Sequence, residues 1–162
     1  MSFNSYYIST TIPYVNSNPH IGHAQEFVLA DAITRYYKGL GKSVHFQSGT
    51  DDNATKNVLS AKQNNIPVQQ FIDINFTKFK DLQLGLEVFP NKFVRTSSSE
   101  HYQAVKRFLS ILNNDDIYES NYQGNYCSGC EDFLSDTELT DNGLCPDHLR
   151  EPDFLQEKNI FF

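Results

Sequence analysis

The sequence predicts an α/β fold: a parallel sheet flanked by helices, followed by a small cysteine-bearing appendage. Strand-like and helix-like segments alternate three times between Met1 and about Asn113, which is how chained βαβ units read in sequence. Polar turns follow Thr11 and Gly49, at the strand ends beyond which such sheets bind ligands. After Asp115 the composition changes to short β-like pieces, many turns and all three cysteines. The expected division is therefore 1–115 and 116–162.

Each element has its own signal. Tyr6 to Thr11 is short, aromatic and β-branched, as a buried strand requires. Pro13, Asn16, Asn18 and Pro19 make a turn. From Ile21 the apolar residues Ala24, Val28, Ala32 and Tyr36 recur near helical spacing, with Gly39 or Gly41 as the stop. "SVHFQSG" reads as the second strand, and "TDDNATKNVLSAKQNN" as a helix opened by capping residues. Pro67 opens another helix, with Phe71, Ile74, Phe79 and Leu82 expected on its inner face. "KFVRTSS" is the third strand, and a helix follows from about Ser99 to Leu112.

Composition narrows the function. With 39% hydrophobic and 20% charged residues in 162, the chain reads as soluble and globular. No apolar run approaches the roughly 20 residues that cross a bilayer, and the first residues lack the basic and apolar regions of a secretory signal. A cytoplasmic protein with reduced thiols is expected, which suits an odd cysteine count. Net charge is −7 with no basic face, so the phosphate backbone of DNA is not an expected partner. The sequons at Asn53 and Asn75 are read as chance occurrences.

The stretch "TTIPYVNSNPHIGHAQEF" carries the chemistry. A helix N-terminus offers unpaired N–H groups and partial positive charge, which favour phosphate. His20 and His23, three apart, share one face of the first turn and can both donate to one phosphate group. Gly22 between them leaves room for a nucleotide to approach the backbone. The competing readings are two surface histidines on a loop, or a metal pair, for which i, i+4 spacing is the commoner pattern.

In the appendage, Cys127-Ser-Gly-Cys130 and Cys145-Pro-Asp-His148 are two knuckles with tetrahedral zinc spacing. Four protein ligands leave no position for water, so the expected zinc is structural.

These segments together resemble the class I aminoacyl-tRNA synthetases. His20-Ile21-Gly22-His23 matches their HIGH tetrapeptide, and "T-T-x-P-Y-x-N-x-x-P" before it resembles the methionyl members specifically. So do "GTDDNATK", where those members usually read G-T-D-E-H-G, and the tail "EKNIFF", similar to their E-x-N-Y-F-F. The resemblance implies a Rossmann-like parallel sheet, the first half of a nucleotide-binding fold, with a zinc-knuckle connective peptide. It implies ATP with Mg as a substrate, activation of methionine to methionyl-adenylate, and transfer to tRNA. His20, Gly22 and His23 would bind ATP, the two histidines stabilising the transition state at the α-phosphate. Ile12 and Tyr14 would line the methionine side-chain pocket. Asp51 would pair with the substrate ammonium, although it also reads as a helix N-cap for "DNATKNV".

Asn53-Ala54 departs from the family's His-Gly and puts the contacts around that position, and with them methionine selectivity, in question. KMSKS, the family's second phosphate-holding motif, does not occur. The expectation is an N-terminal portion of a ligase, nearly inactive alone, whose remaining part a C-terminal half would supply. The alternative is an inactive paralogue that binds nucleotide or amino acid. A zinc-knuckle nucleic-acid binder fits an acidic chain poorly.

Overall fold

The computed structural model describes residues 4–161. The start of the N-terminal segment, 1–3, and the last residue of the tail motif, Phe162, therefore lie outside the described residues. The chain divides into two compact units after Ala104.

The first unit holds a three-stranded sheet of β1 (Ser5–Ser9), β2 (Ser43–Thr50) and β3 (Lys92–Arg95). Its order is β1-β2-β3 with both pairings parallel, Ser9 opposite Gln47 and Gln47 opposite Lys92. Parallel neighbours need long crossovers; α1 (Ile21–Gly39) supplies the first, and α2 (Thr55–Gln63) with α3 (Val68–Gly85) the second. The core is Val15, Phe27, Ala30, Phe46, Ala61, Phe71, Ile72, Phe79 and Val88.

Three expectations are corrected in detail. The buried face of α1 is Ala24, Phe27, Ala30 and Thr34, not a stripe through Val28, Ala32 and Tyr36, which are exposed. A strict four-residue spacing drifts around a helix of 3.6 residues per turn, whereas the observed steps of three and four stay on one side. On α3, Phe71 and Phe79 point inward as expected, but Ile74 is exposed and Ile72 and Asn75 are buried. Asn75 is held there because its Nδ2 donates to the carbonyl of the fully buried Val15 at 2.8 Å. Finally, α2 starts four residues after Asp51, with Ala54 at its N-cap and no side-chain cap. Asp51 is therefore free of capping duty.

The termination of α1 follows its sequence. Leu40 closes the last turn, and Gly41 takes the left-handed conformation, φ 73°, that favours glycine beyond a helix end.

α4 (Ser99–Ser110) crosses the division between the units and buries none of its residues. The compact unit thus ends within α4, before the composition changes near Asp116. The second unit is an antiparallel sheet of β4 (Tyr118–Cys127), β5 (Asp132–Leu134) and β6 (Asp153–Phe161), in the order β5-β4-β6. Among the described residues no helix is long and apolar enough to cross a membrane.

Candidate active site and metal centre

The turn between β1 and α1 is fastened from below. Val15 anchors it in the core, and Lys78 Nζ donates to Asn18 Oδ1 at 2.7 Å and to Asn75 Oδ1 at 2.9 Å. Glu26, one turn into α1, accepts from the backbone N–H and the hydroxyl of Thr11, both at 2.7 Å. The path of residues 10–20 is thus set by partners far away in sequence. No local motif marks Glu26 or Lys78, and the sequon at Asn75 has no bearing on this role.

His20 and His23 close the start of α1 as a reciprocal capping box. Gly22 N–H donates to His20 Nδ1, and His20 N–H donates to His23 Nδ1, each at 3.1 Å. Both rings therefore use Nδ1 as acceptor, so in the neutral form each carries its proton on Nε2. The rings stack 3.8 Å apart, and His23 packs edge-on against Phe79. Burial lowers the His23 pKa, and the neighbouring His20 lowers it further against the opposing pull of Glu26. A neutral His23 is what the cap needs. Gly22 also has a steric duty: a Cβ there would sit 2.9 Å from His20 Cε1.

The second polar turn meets the first through backbone. Tyr14 and Asp51 form an isolated parallel bridge, with Asp51 N–H donating to the Pro13 carbonyl at 2.9 Å. Lys56 lies over the Tyr14 ring, 5.5 Å from its centroid. Ile12 comes close to Gly49, where an added Cβ would lie 3.2 Å from Ile12 Cγ2 and 2.5 Å from the Val94 carbonyl oxygen. Ile12, Tyr14 and Asp51, distant by up to 39 positions, are thus gathered at the carboxyl ends of β1 and β2.

The adjacent carboxylates differ in environment. Asp52 is buried, accepting from Thr50 Oγ1 at 2.9 Å, Ser97 Oγ at 2.5 Å and Arg95 Nε at 2.7 Å. Asp51 is only partly buried and accepts, through Oδ1, from Thr96 Oγ1 and from the Asn53 N–H. Asn53, the departure from the family pattern, turns its Nδ2 to the Thr96 carbonyl at 3.1 Å.

In the second unit Cys127, Cys130, Cys145 and His148 gather so that their four donor atoms lie within 4.8 Å of one another. His148 Nδ1 lies 3.3 Å from the Cys130 sulfur and 3.8 Å from those of Cys127 and Cys145, and the Cys130 and Cys145 sulfurs are 3.5 Å apart. A tetrahedron of thiolates about zinc has edges of about 3.8 Å, so the donor set fits that ion. The two knuckles have the same turn geometry. Glu131 N–H donates to the Cys127 carbonyl at 2.7 Å, and Leu149 N–H to the Cys145 carbonyl at 2.8 Å. Both donors have left-handed backbone, φ 57° and 49°.

The sulfurs do not ionise equally. The backbone N–H of Cys130 lowers the Cys127 pKa, while the Cys130 thiol is pushed up to about 12, first by its contact with Cys145. A shared cation would favour the thiolate form of all three sulfurs.

Comparison with known proteins now decides the family. The family described as tRNA synthetases class I (M) matches residues 6–154. The chain belongs to it. Among curated relatives, the methionine–tRNA ligase of Fusobacterium nucleatum is 38% identical over 159 residues, 98% of this chain and 25% of its own length. That of Thermotoga maritima is 37% identical over 161 residues, 97% of this chain and 26% of its own. A solved structure of Mycobacterium tuberculosis methionyl-tRNA synthetase in complex with methionyl-adenylate superposes with a TM-score of 0.88 at 31% identity. It covers 99% of this chain, which covers 32% of it. The chain thus spans about a quarter to a third of the length of these relatives. The α/β class and the parallel sheet expected from sequence agree with this likeness.

Proposed function

We propose that this chain supplies the HIGH-motif half of a methionine–tRNA ligase: it binds ATP, as the Mg complex, together with methionine, for formation of methionyl-adenylate and later transfer to tRNA. The observation that carries the reading is the reciprocal cap of His20 and His23. It commits both Nδ1 atoms to backbone and leaves two Nε2–H donors at the N-terminus of α1. Donors fixed before substrate arrives stabilise developing charge without reorganisation.

In this reading the methionine carboxylate attacks the α-phosphorus and pyrophosphate departs. His20 and His23 donate to phosphate oxygens at the helix terminus beside Gly22, where the partial positive charge adds to theirs. Asp51 holds the methionine ammonium by a charge-assisted hydrogen bond, and Ile12 and Tyr14 line the side-chain pocket. Residues 1–115 act as the first half of the Rossmann-like catalytic domain, and 116–162 as the connective-peptide module. Zinc at Cys127, Cys130, Cys145 and His148 is structural. The KMSKS-bearing half and tRNA are the further partners, and the compartment is the cytoplasm, in keeping with three unpaired cysteines.

Titration of the full chain with a non-hydrolysable methionyl-adenylate analogue tests the reading. His20→Asn keeps an N-cap acceptor and His23→Gln keeps the capping-box partner, so the double variant retains the helix start without imidazoles. The expected result is at least a tenfold loss of analogue affinity at unchanged helix content, the scale of lost charge-assisted contacts. Unchanged affinity would refute the assignment.

A further inference from the structure

The carboxylate at the end of β2 takes two donors on one oxygen. Asp51 Oδ1 accepts from Thr96 Oγ1 at 3.0 Å and from the Asn53 N–H at 3.1 Å. Both of these donors converge on the same oxygen, so the clamp leaves Oδ2 outside it. Thr96 stands one residue beyond β3, and its N–H donates to the Thr50 carbonyl at 3.2 Å, which carries the β2–β3 pairing one step further. Its hydroxyl also accepts from the Asp52 N–H at 2.8 Å, and its carbonyl receives Asn53 Nδ2. A single residue therefore binds three successive positions of the turn after β2.

The direction of the hydroxyl proton follows from this. Thr96 Oγ1 has one proton and takes the Asp52 N–H on a lone pair, so its proton is committed to Asp51 Oδ1. Threonine holds that geometry because its branched Cβ restricts χ1. The Asp51 side chain is thereby fixed in rotation through Oδ1, and the direction of Oδ2 is set with it.

We infer that Thr96 is a positioning residue for amine recognition: it clamps Asp51 Oδ1 so that Oδ2 faces the ammonium group of the amino-acid substrate. The inference rests on the reading of Asp51 as the ammonium partner and adds the residue that orients it. A preset carboxylate binds a cation without first losing rotamer freedom. A merely structural Thr96 would affect all ligands alike, whereas a positioning Thr96 affects only those bearing the amine.

The test uses two probes on the full chain: a sulfamoyl methionyl-adenylate analogue, and the same compound without its α-amine. The wild-type chain is expected to favour the amine form, and Asp51→Asn to abolish that preference. Thr96→Val, isosteric without the hydroxyl, is expected to lower the preference about tenfold while des-amino binding stays within about twofold. Thr96→Ser is expected to restore the preference. Should Thr96→Val not fold, Thr96→Ala removes the hydroxyl with less crowding and gives the same readout. If the wild-type chain binds both probes equally, the Asp51 reading fails and this inference with it. If Asp51→Asn abolishes the preference but the Thr96 variants keep it, or weaken both probes alike, only the role of Thr96 is overturned.

Discussion

Asp52 and Arg95 form an ion pair at the junction of β2 and β3, Nε to Oδ2 at 2.7 Å, and the Asp52 side chain is wholly inaccessible to solvent. Arg95 reaches onward to Asp73 Oδ1 at 2.8 Å and lies over the Phe76 ring, 4.3 Å from its centroid. Burial alone would lower the Arg95 pKa, but Asp73 and Asp52 outweigh it and raise it. Removing one member of a buried pair leaves an uncompensated charge. Arg95→Met should therefore destabilise the chain by about 3–5 kcal/mol, read as a lower urea midpoint. Asp73, about half exposed, is a different case, and Asp73→Asn should cost at most about 1 kcal/mol.

Gly49 sets how closely β2 and β3 approach beside Ile12. A Cβ on it would meet the Val94 backbone carbonyl and side chain at 2.5 Å, and a backbone atom in a paired strand cannot swing aside. Gly49→Ala should destabilise by about 1–3 kcal/mol, as overpacking does. Because Ile12 Cγ2 lies 3.2 Å away on the same side, affinity for the adenylate analogue should fall with it. Thermal unfolding and calorimetric titration of one preparation check both outcomes.

The sequence made the elements legible but not their rotations. Strand and helix alternation, the glycine stop after α1 and the gathering of the four knuckle residues depend on local chemistry, and all are present. Val28 and Phe27 are both apolar, so pattern alone does not fix the inward face of α1, and only packing decides which is buried. Asn75 illustrates the converse. A polar residue on an apolar face, it is buried because a carbonyl 60 residues away needs a donor. Thr96 carries no motif of its own. Its importance comes from parallel pairing that places it beside Asp51, 45 positions earlier, a distance that no window of local pattern spans.

His23 should titrate below its ordinary value of 6.5, because burial and His20 both disfavour its charged form. The unfolded chain, with the higher pKa, then binds more protons in this range. Stability from the neutral cap is full above 6.5 and is lost as pH falls through the lower folded value. NMR titration of the ring should show this midpoint, and His20→Asn should move it upward by removing a neighbouring charge. A midpoint that stays put in His20→Asn would mean that the stacked pair is not electrically linked.

The proposed zinc centre depends on a residue outside its donor set. Gly129 lies between Cys127 and Cys130 with its open side against the His148 ring, so that a Cβ would overlap the imidazole. Gly129→Ala must displace either the first knuckle or the ring, and the ring, on an exposed residue, is the part that gives way. Loss of the fourth donor should lower zinc affinity about 10-fold to 100-fold, the scale on which disturbed ligand orientation acts. Gly143, with φ 75° but no neighbour within 4 Å, is the control: Gly143→Ala should strain a turn by about 1 kcal/mol and leave affinity unchanged. Competition with a chromogenic chelator measures both variants beside the wild type, which should hold about one zinc per chain. Equal affinities for Gly129→Ala and wild type would mean that His148 does not contribute its nitrogen to the ion.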